Sequence, residues 1–491
     1  MDNLNSKTKK AFAWDFSGRM ISQGVSFIIS MFLARLLTPA DFGLIAMVNV
    51  IIAFSGVFMD MGLGVSLIQR KDVTDEHYGS VFWFNVFVGA LLTALLYLSA
   101  PFVVKFYNQP ELLGLTHAMS FIFIINAFGR VISAKLTKAL DFKRQIVAQL
   151  IAAIISGVIG VVLAFQGKGV WALVIQSLIA AGLNNILLIA ITRFKPAFKF
   201  SWKALKELWG FGFRMFISGF LDSLYNNLDA IIIGKLFNAS SLGFYNRAKN
   251  LKNLLIQNAT GSLNKIMFPS LSALQLDYER FNRAVSKSIQ FTMFVSMFVV
   301  GLFFVISKDA ILLLFGNQWE FSVHLFRLIL LSAYAFPVSV VLVNIIAAKG
   351  NSKAFLRLEI LKKLIQTLNF VIGFIFGIEG FIIGLAIVST IGVSLNIYFA
   401  SKETKLPMNW FNKKTWHYLL ISGVLVAIPF FAFDFLNEKL VLHALLAGGT
   451  FSILYFAVNK ILKTGGYLIF MEELKNLRIL DRIRVKFIKT K

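Results

Sequence analysis

Apolar residues come in blocks about as long as a bilayer is thick. Residues 51–58, 81–98, 289–306 and 380–399 carry almost no charge, and about 20 consecutive apolar residues cross a hydrocarbon core as a helix. Taken along the chain, the pattern predicts spans at 13–36, 42–68, 79–104, 112–134, 146–165, 169–191, 211–236, 241–271, 287–306, 321–347, 354–375, 379–399, 416–434 and 441–462. The expectation is an all-α integral membrane protein with about fourteen transmembrane helices, since helices satisfy their own backbone in lipid.

Composition agrees. Of 491 residues 57% are hydrophobic and 15% are charged, where a soluble chain carries roughly 25% charged. The 49 Lys+Arg against 24 Asp+Glu give a net charge of +25. No basic block interleaves with aromatics in a soluble domain, so nucleic acid is not the expected partner. Topology accounts for the charge instead. With a cytoplasmic N-terminus, the inside segments hold 33 Lys/Arg and the outside segments hold 6, namely Arg35, Lys105, Lys168, Lys235, Lys308 and Lys439. Both termini are therefore expected in the cytoplasm. The basic run from Lys7 to Lys10 precedes a stretch containing Asp15 and Arg19, which is read as a retained first span and not as a signal peptide. The tail from Glu472, with Leu474, Leu477, Leu480 and Ile483 among Lys and Arg, is expected to lie on the inner leaflet. The chain has no cysteine, which removes disulfides, thiolate metal sites and thiol nucleophiles.

A repeat divides the spans. Trp14-Asp-Phe16-Ser-Gly-Arg19-Met20 returns as Trp209-Gly-Phe211-Gly-Phe-Arg214-Met215, offset by 195, and Gly43 aligns with Gly243, offset by 200. Six spans lie between the two copies, so both halves enter the membrane from the same side. That is a parallel repeat about an axis along the membrane normal. The expected organisation is an N-lobe at 1–192, a linker at 193–210, a C-lobe at 211–400, two further helices at 401–465 and a basic tail at 466–491.

Three spans carry polar stripes at helical spacing. The first holds Asp15, Arg19, Ser22, Ser26 and Ser30; the seventh holds Arg214, Ser218, Asp222, Tyr225 and Asp229. The eighth holds Asn246, Lys249, Asn250, Asn253, Gln257, Thr260 and Asn264 with Arg247 beside them, and the second ends in Asp60. A charge at mid-bilayer costs about 2.5–3.5 kcal/mol on insertion scales, so it faces a cavity or a partner. Both readings fit: a hydrated, net cationic chamber, or helix-to-helix hydrogen bonds and pairs such as Asp15 with Arg19. The chamber is preferred for Arg214, Arg247 and Lys249, which outnumber nearby carboxylates. With Arg19 these are the candidate ligands for a lipid diphosphate, because guanidinium and ammonium groups recognise phosphate. Ser26, Tyr225, Asn250, Asn253 and Gln257 are candidate lining residues, and Asp15, Asp60, Asp222 and Asp229 are candidates for coupling to Na⁺ or protons.

No catalytic set emerges. The histidines His77, His117, His324, His417 and His443 lack metal spacing, and there is no phosphate-binding loop or nucleophile elbow. No cofactor is expected, and energy would come from an ion gradient, the membrane potential or the substrate gradient.

Six segments in order carry a family resemblance: Ala34–Gly43, Gly62-Leu-Gly64 through Ser66–Lys71, Leu140-Asp-Phe142, Gly167–Val174, Leu242–Ala248 and Phe268–Ser272. The chain resembles the polysaccharide-exporter branch of the multidrug/oligosaccharidyl-lipid/polysaccharide flippase superfamily, in register from residue 10 to about 330 and more weakly to about 400. The resemblance implies two six-helix lobes plus two C-terminal helices and a central cavity. It also implies flipping of undecaprenyl-diphosphate-linked oligosaccharide to the outer leaflet of a bacterial plasma membrane, with a polysaccharide polymerase as a candidate partner. Relatives that flip lipid II have cavity arginines on the first and eighth helices, where Arg19 and Arg247 lie here. Two rivals are a multidrug/cation antiporter of the same fold and a membrane polymerase or ligase acting on lipid-linked sugars.

Overall fold

The computed structural model describes residues 2–194, 200–404, 406–433 and 439–475; the side chains of 2–13, 15–16, 257–270, 273 and 352 lie outside that description. The expected amphipathic tail is described only as far as residue 475, with 465–475 helical, and its remainder lies outside the described residues. The described residues form helices and no strands. The chain forms two compact units, Met1–Asn246 and Arg247–Lys491.

The first unit contains α1 (Asp2–Leu36), α2 (Pro39–Asp60), α3 (Leu63–Gln69), α4 (Asp75–Tyr107), α5 (Leu112–Ser120), α6 (Ile122–Lys138), α7 (Phe142–Phe165), α8 (Val170–Thr192) and α9 (Trp202–Leu236). α10 (Ala239–Ala273) holds the boundary between units. The expected span 42–68 is two helices. Met61 and Gly62 take left-handed conformations, with φ of 43° and 75°, and end α2 sharply. Glycine is required at 62 for a second reason: a Cβ there would lie 2.1 Å from the Gly212 carbonyl oxygen of α9. Small residues allow such close approach where lipid offers no hydrophobic drive for helix association. Ser66 Oγ fixes the same corner by donating to the Leu208 carbonyl at 3.1 Å. Above it, Phe54 and Phe58 of α2 interlock with Phe216 and Phe220 of α9 at centroid distances of 4.9 to 5.5 Å. Each such pair contributes roughly 0.5–1.5 kcal/mol beyond its area.

Two hairpin tips meet in this unit. Thr38 caps α2 through a capping box with Asp41, and Asn238 Oδ1 accepts the Ser241 amide at 2.7 Å before α10. A Cβ on Gly43 would lie 1.7 Å from the Ala239 carbonyl oxygen, and one on Gly243 would lie 1.9 Å from that of Pro39. Each glycine thus receives the first residue of the other helix. The repeat offset of 200 relates these two pairs.

The second unit contains α11 (Tyr278–Val305), α12 (Ser307–Phe315), a 3₁₀ turn (Asn317–Trp319), α13 (Glu320–Ala333), α14 (Ala335–Ala348), α15 (Ser352–Thr404), α16 (Met408–Ala432) and α17 (Leu440–Ile461). Its core joins α11, α16 and α17. Tyr455 donates to the Phe294 carbonyl at 2.8 Å, Ser422 to that of Met297 at 3.1 Å, and Tyr418 Oη accepts the Gly466 amide at 2.6 Å. The expected spans 354–375 and 379–399 both fall in α15, whose helical path is interrupted at Gly377, φ 75° and ψ −168°.

Ten helices among the described residues are long and apolar enough to cross a membrane. The chain is a multi-pass membrane protein. The long helices outside that set are α1, α9 and α10, the three that carry the polar stripes.

Candidate functional site

Helical periodicity places Arg19 and Ser26 on α1 and Arg214 and Asp222 on α9, and all four are exposed in the first unit. Ser22, assigned to the same α1 stripe, is instead buried, and its Oγ has no hydrogen-bond partner among the described residues. It lies on the side of α1 that packs on α7, where Gly18 leaves room for Ile146 and Gly157 for Ile29. The stripe therefore divides, with Arg19 and Ser26 exposed and Ser22 within the helix packing.

The acids separate into different roles. The side chain of Asp15 lies outside the described residues. Asp60 accepts the Gly64 amide on both carboxylate oxygens at 3.0 Å, bridging the joint between α2 and α3. Asp229 accepts a hydrogen bond from the buried Tyr245 hydroxyl at 2.5 Å, tying α9 to the start of α10. Asp222 remains exposed, and Tyr225 is half-buried one turn further on.

On α10, Lys249 and Asn253 are half-buried and Asn250 is exposed, whereas the side chain of Gln257 lies outside the described residues. Arg247 is 7% exposed. Its guanidinium lies 4.6 Å from the ring centre of Phe315 and 4.8 Å from that of Trp319. The two rings meet edge to face with centroids 6.5 Å apart, and a planar cation packed against both in a desolvated setting is a strong packing element, worth about 2 kcal/mol. Among the four cations read as diphosphate ligands, Arg19 and Arg214 are thus exposed, Lys249 is half-buried and Arg247 is enclosed by rings.

A cavity of about 340 Å³ lies between α2 and α6 in the first unit, lined by Ile52, Ala53, Gly56, Phe123, Asn126 and Arg130 among others. Arg130 also acts through space on the Asp60 carboxylate. Sequence analysis missed Asn126 and Arg130. Their signal was present, a polar pair at i and i+4 inside an apolar span, but Arg130 lies close to the basic rim at 135–144 and merges with it.

Near the C-terminal end of α6, where Lys138 donates to the Leu67 carbonyl at 3.0 Å, Glu207 of α9 joins α3 and α4. Its carboxylate is 2.5 Å from Arg70 Nη2 and 3.3 Å from His77 Nε2. The His77 hydrogen bond, more than Arg70's charge, holds the Glu207 carboxyl below the usual glutamate range.

Residues 32–324 match the family described as polysaccharide biosynthesis protein. The succinoglycan biosynthesis transport protein ExoT of Rhizobium meliloti (strain 1021) is 26% identical over 331 residues, which is 67% of this chain and 67% of that protein. Among solved structures, the lipid II flippase MurJ in its inward closed conformation superposes with a TM-score of 0.68 at 14% identity, covering 89% of this chain and 98% of that one. An inward-facing multidrug resistance transporter of the MATE family, in the MOP superfamily, superposes with a TM-score of 0.63 at 14% identity, covering 80% and 98%. The fold is that of the MOP flippases.

Proposed function

The chain belongs to the family of polysaccharide biosynthesis proteins, and from that membership we propose that it flips a lipid-linked oligosaccharide, carried on a polyprenyl diphosphate, across a bacterial plasma membrane. It works by alternating access, with both termini cytoplasmic, from the inner to the outer leaflet and without catalysing a reaction. The name of the ExoT relative, a biosynthesis transport protein, supports transport over polymerisation.

The observation that carries the reading is the exposure of Arg19 and Arg214 on two long helices of low hydrophobicity in one unit. A cation held at membrane depth costs about 2.5–3.5 kcal/mol unless it has water or an anion. Two guanidinium forks suit the paired phosphates of the carrier, and the exposed Ser26 of the same unit suits hydroxyl-rich sugars. Lipid tails need no polar site, since they stay in the bilayer. A drug-cation antiporter would reverse this polarity, with carboxylates facing the cargo. Here Asp60 and Asp229 are already hydrogen-bonded, to the Gly64 amide and the Tyr245 hydroxyl, and the exposed Asp222 stands alongside two exposed arginines, Arg19 and Arg214, in the same unit.

The test is complementation of a deletion strain. Arg19→Ala and Arg214→Ala should each abolish surface polysaccharide while the protein stays inserted at normal abundance, with lipid-linked oligosaccharide accumulating on the cytoplasmic side. Full export by the double variant would refute the anionic-cargo reading.

A further inference from the structure

We propose that the second unit holds a phosphate site of its own where α11 turns into α12, built from Lys308, Arg327 and His443. These side chains line a cavity of about 280 Å³ together with Glu320, His324 and Phe430. None belongs to the polar stripes of α1, α9 and α10.

Each basic group is held by a specific support. Arg327 Nε donates to Ser307 Oγ at 2.6 Å, and its guanidinium lies 4.9 Å from the centre of the Phe430 ring. Those two contacts fix the plane of the fork along the cavity wall, leaving little rotamer freedom to lose on binding. Lys308 is the neighbour of Ser307 and adds a point charge. His443 Nδ1 lies 2.6 Å from Asp309 Oδ2, and both residues are buried, at 3% and 1% exposure. This buried pair sets the imidazole's orientation. When the ring carries two protons, Nδ1–H donates to Asp309 and Nε2–H becomes a further donor. Of the nearby carboxylates, Asp309 is buried and engaged by His443, Glu320 is exposed at the rim, and Glu379 lies 3.3 Å from His324 with both side chains about half exposed. Charges at the rim are screened by solvent, so inside the cavity Lys308 and Arg327 face one buried carboxylate, that of Asp309, which is already engaged by His443.

A fixed fork, a point charge and an anchored imidazole around a small cavity select a tetrahedral oxyanion over a drug cation or a neutral sugar. Two sources supply that chemistry. One is the phosphate of a phospholipid headgroup, and the other is a phosphate free of the bilayer, such as the carrier diphosphate of the cargo. The site itself does not depend on the proposed function; only its placement at the outer leaflet rests on the orientation proposed above.

The experiment uses full-length protein in lipid nanodiscs and inorganic pyrophosphate as probe, measured by calorimetry. An Arg19→Gln/Arg214→Gln background removes the cations proposed for the cargo. In that background pyrophosphate should still bind, and adding Lys308→Gln or Arg327→Lys should weaken it about tenfold or more, as expected for lost charge-assisted hydrogen bonds. Unchanged thermal unfolding of the Lys308→Gln protein keeps the comparison clean. Discs of phosphatidylcholine alone and discs containing phosphatidylglycerol separate the sources. Weakening by phosphatidylglycerol that disappears once Lys308→Gln is added assigns the site to an anionic headgroup, since general repulsion of pyrophosphate by the anionic disc would persist in that variant. Equal binding in both discs assigns it to a phosphate outside the bilayer. Absence of binding in the background protein, or equal affinity with and without Lys308→Gln and Arg327→Lys, overturns the proposal. Loss of export in Arg19→Ala or Arg214→Ala has no bearing on this result, so the two readings fail separately.

Discussion

Gly43 and Gly243 hold matching places in two hairpins, and each accommodates the carbonyl of the first residue in the opposite helix. A Cβ at either would lie within 1.9 Å of that oxygen. The clash is with backbone, which cannot swing aside as a side chain tip does.

Gly43→Ala and Gly243→Ala should each destabilise the protein by about 1–3 kcal/mol, the cost of overpacking a tight contact. Gly56→Ala supplies the contrast. A Cβ at 56 meets nothing within 4 Å, so inside α2 the change should be neutral or stabilising by up to about 1 kcal/mol. Thermal unfolding of the three purified variants in detergent checks the order.

Arg214→Ala should leave thermal stability within about 0.5 kcal/mol of the parent, as exposed substitutions usually do, and yet lose export. Arg247→Ala should lose about 2 kcal/mol of stability, because it removes the guanidinium packed against the Phe315 and Trp319 rings. Arg247→Lys should restore only part of it, since a lysine cannot stack as a plane. Measuring surface polysaccharide beside unfolding temperature separates the two arginines.

Much of this was legible in the sequence because it is local or periodic. Apolar blocks gave the helices, and the 200-residue offset paired Gly43 with Gly243 before any contact was known. Other features depend on where distant segments fold. Arg247 stands out as an intramembrane cation, but Phe315 and Trp319 lie far along the chain, so its enclosure is invisible from composition. The Met61-Gly62 joint reads as an ordinary stretch of α2 until Gly212 is seen against it. Arg130 was hidden by its nearness to a basic loop. The Ser22 hydroxyl shares its helical sector with Arg19 and still turns into the packing on α7, because α1 buries one edge of that sector.

The Glu207 cluster should respond to acid with a definite sign. Its carboxyl titrates lower in the fold than in the unfolded chain, where the ordinary value is about 4.3. Its stabilisation is therefore complete above that unfolded value and disappears as pH falls through the lowered one. Glu207→Gln should lower the unfolding temperature at pH 7, and the gap from the parent protein should close as the solution is acidified toward pH 3. A gap that widens with acid would contradict the assignment.

The cysteine-free chain allows orientation to be mapped directly. Asn317 and Lys353 are both exposed and sit at successive turns of the second unit. In intact cells an impermeant maleimide should label Asn317→Cys and spare Lys353→Cys until the membrane is opened. The reverse pattern would invert the proposed topology.

The bridge between Asp60 and the Gly64 amide has a thermodynamic corollary. Within a span, lipid offers no replacement partner for an amide released at a break, so that carboxylate adds to the left-handed Met61 and Gly62 in holding the bend between α2 and α3. A proton or sodium ion arriving at Asp60 competes for the same oxygens. Were such an ion to bind, its occupancy and the angle of the joint would be linked quantities, and whatever shifted one would shift the other by the same free energy.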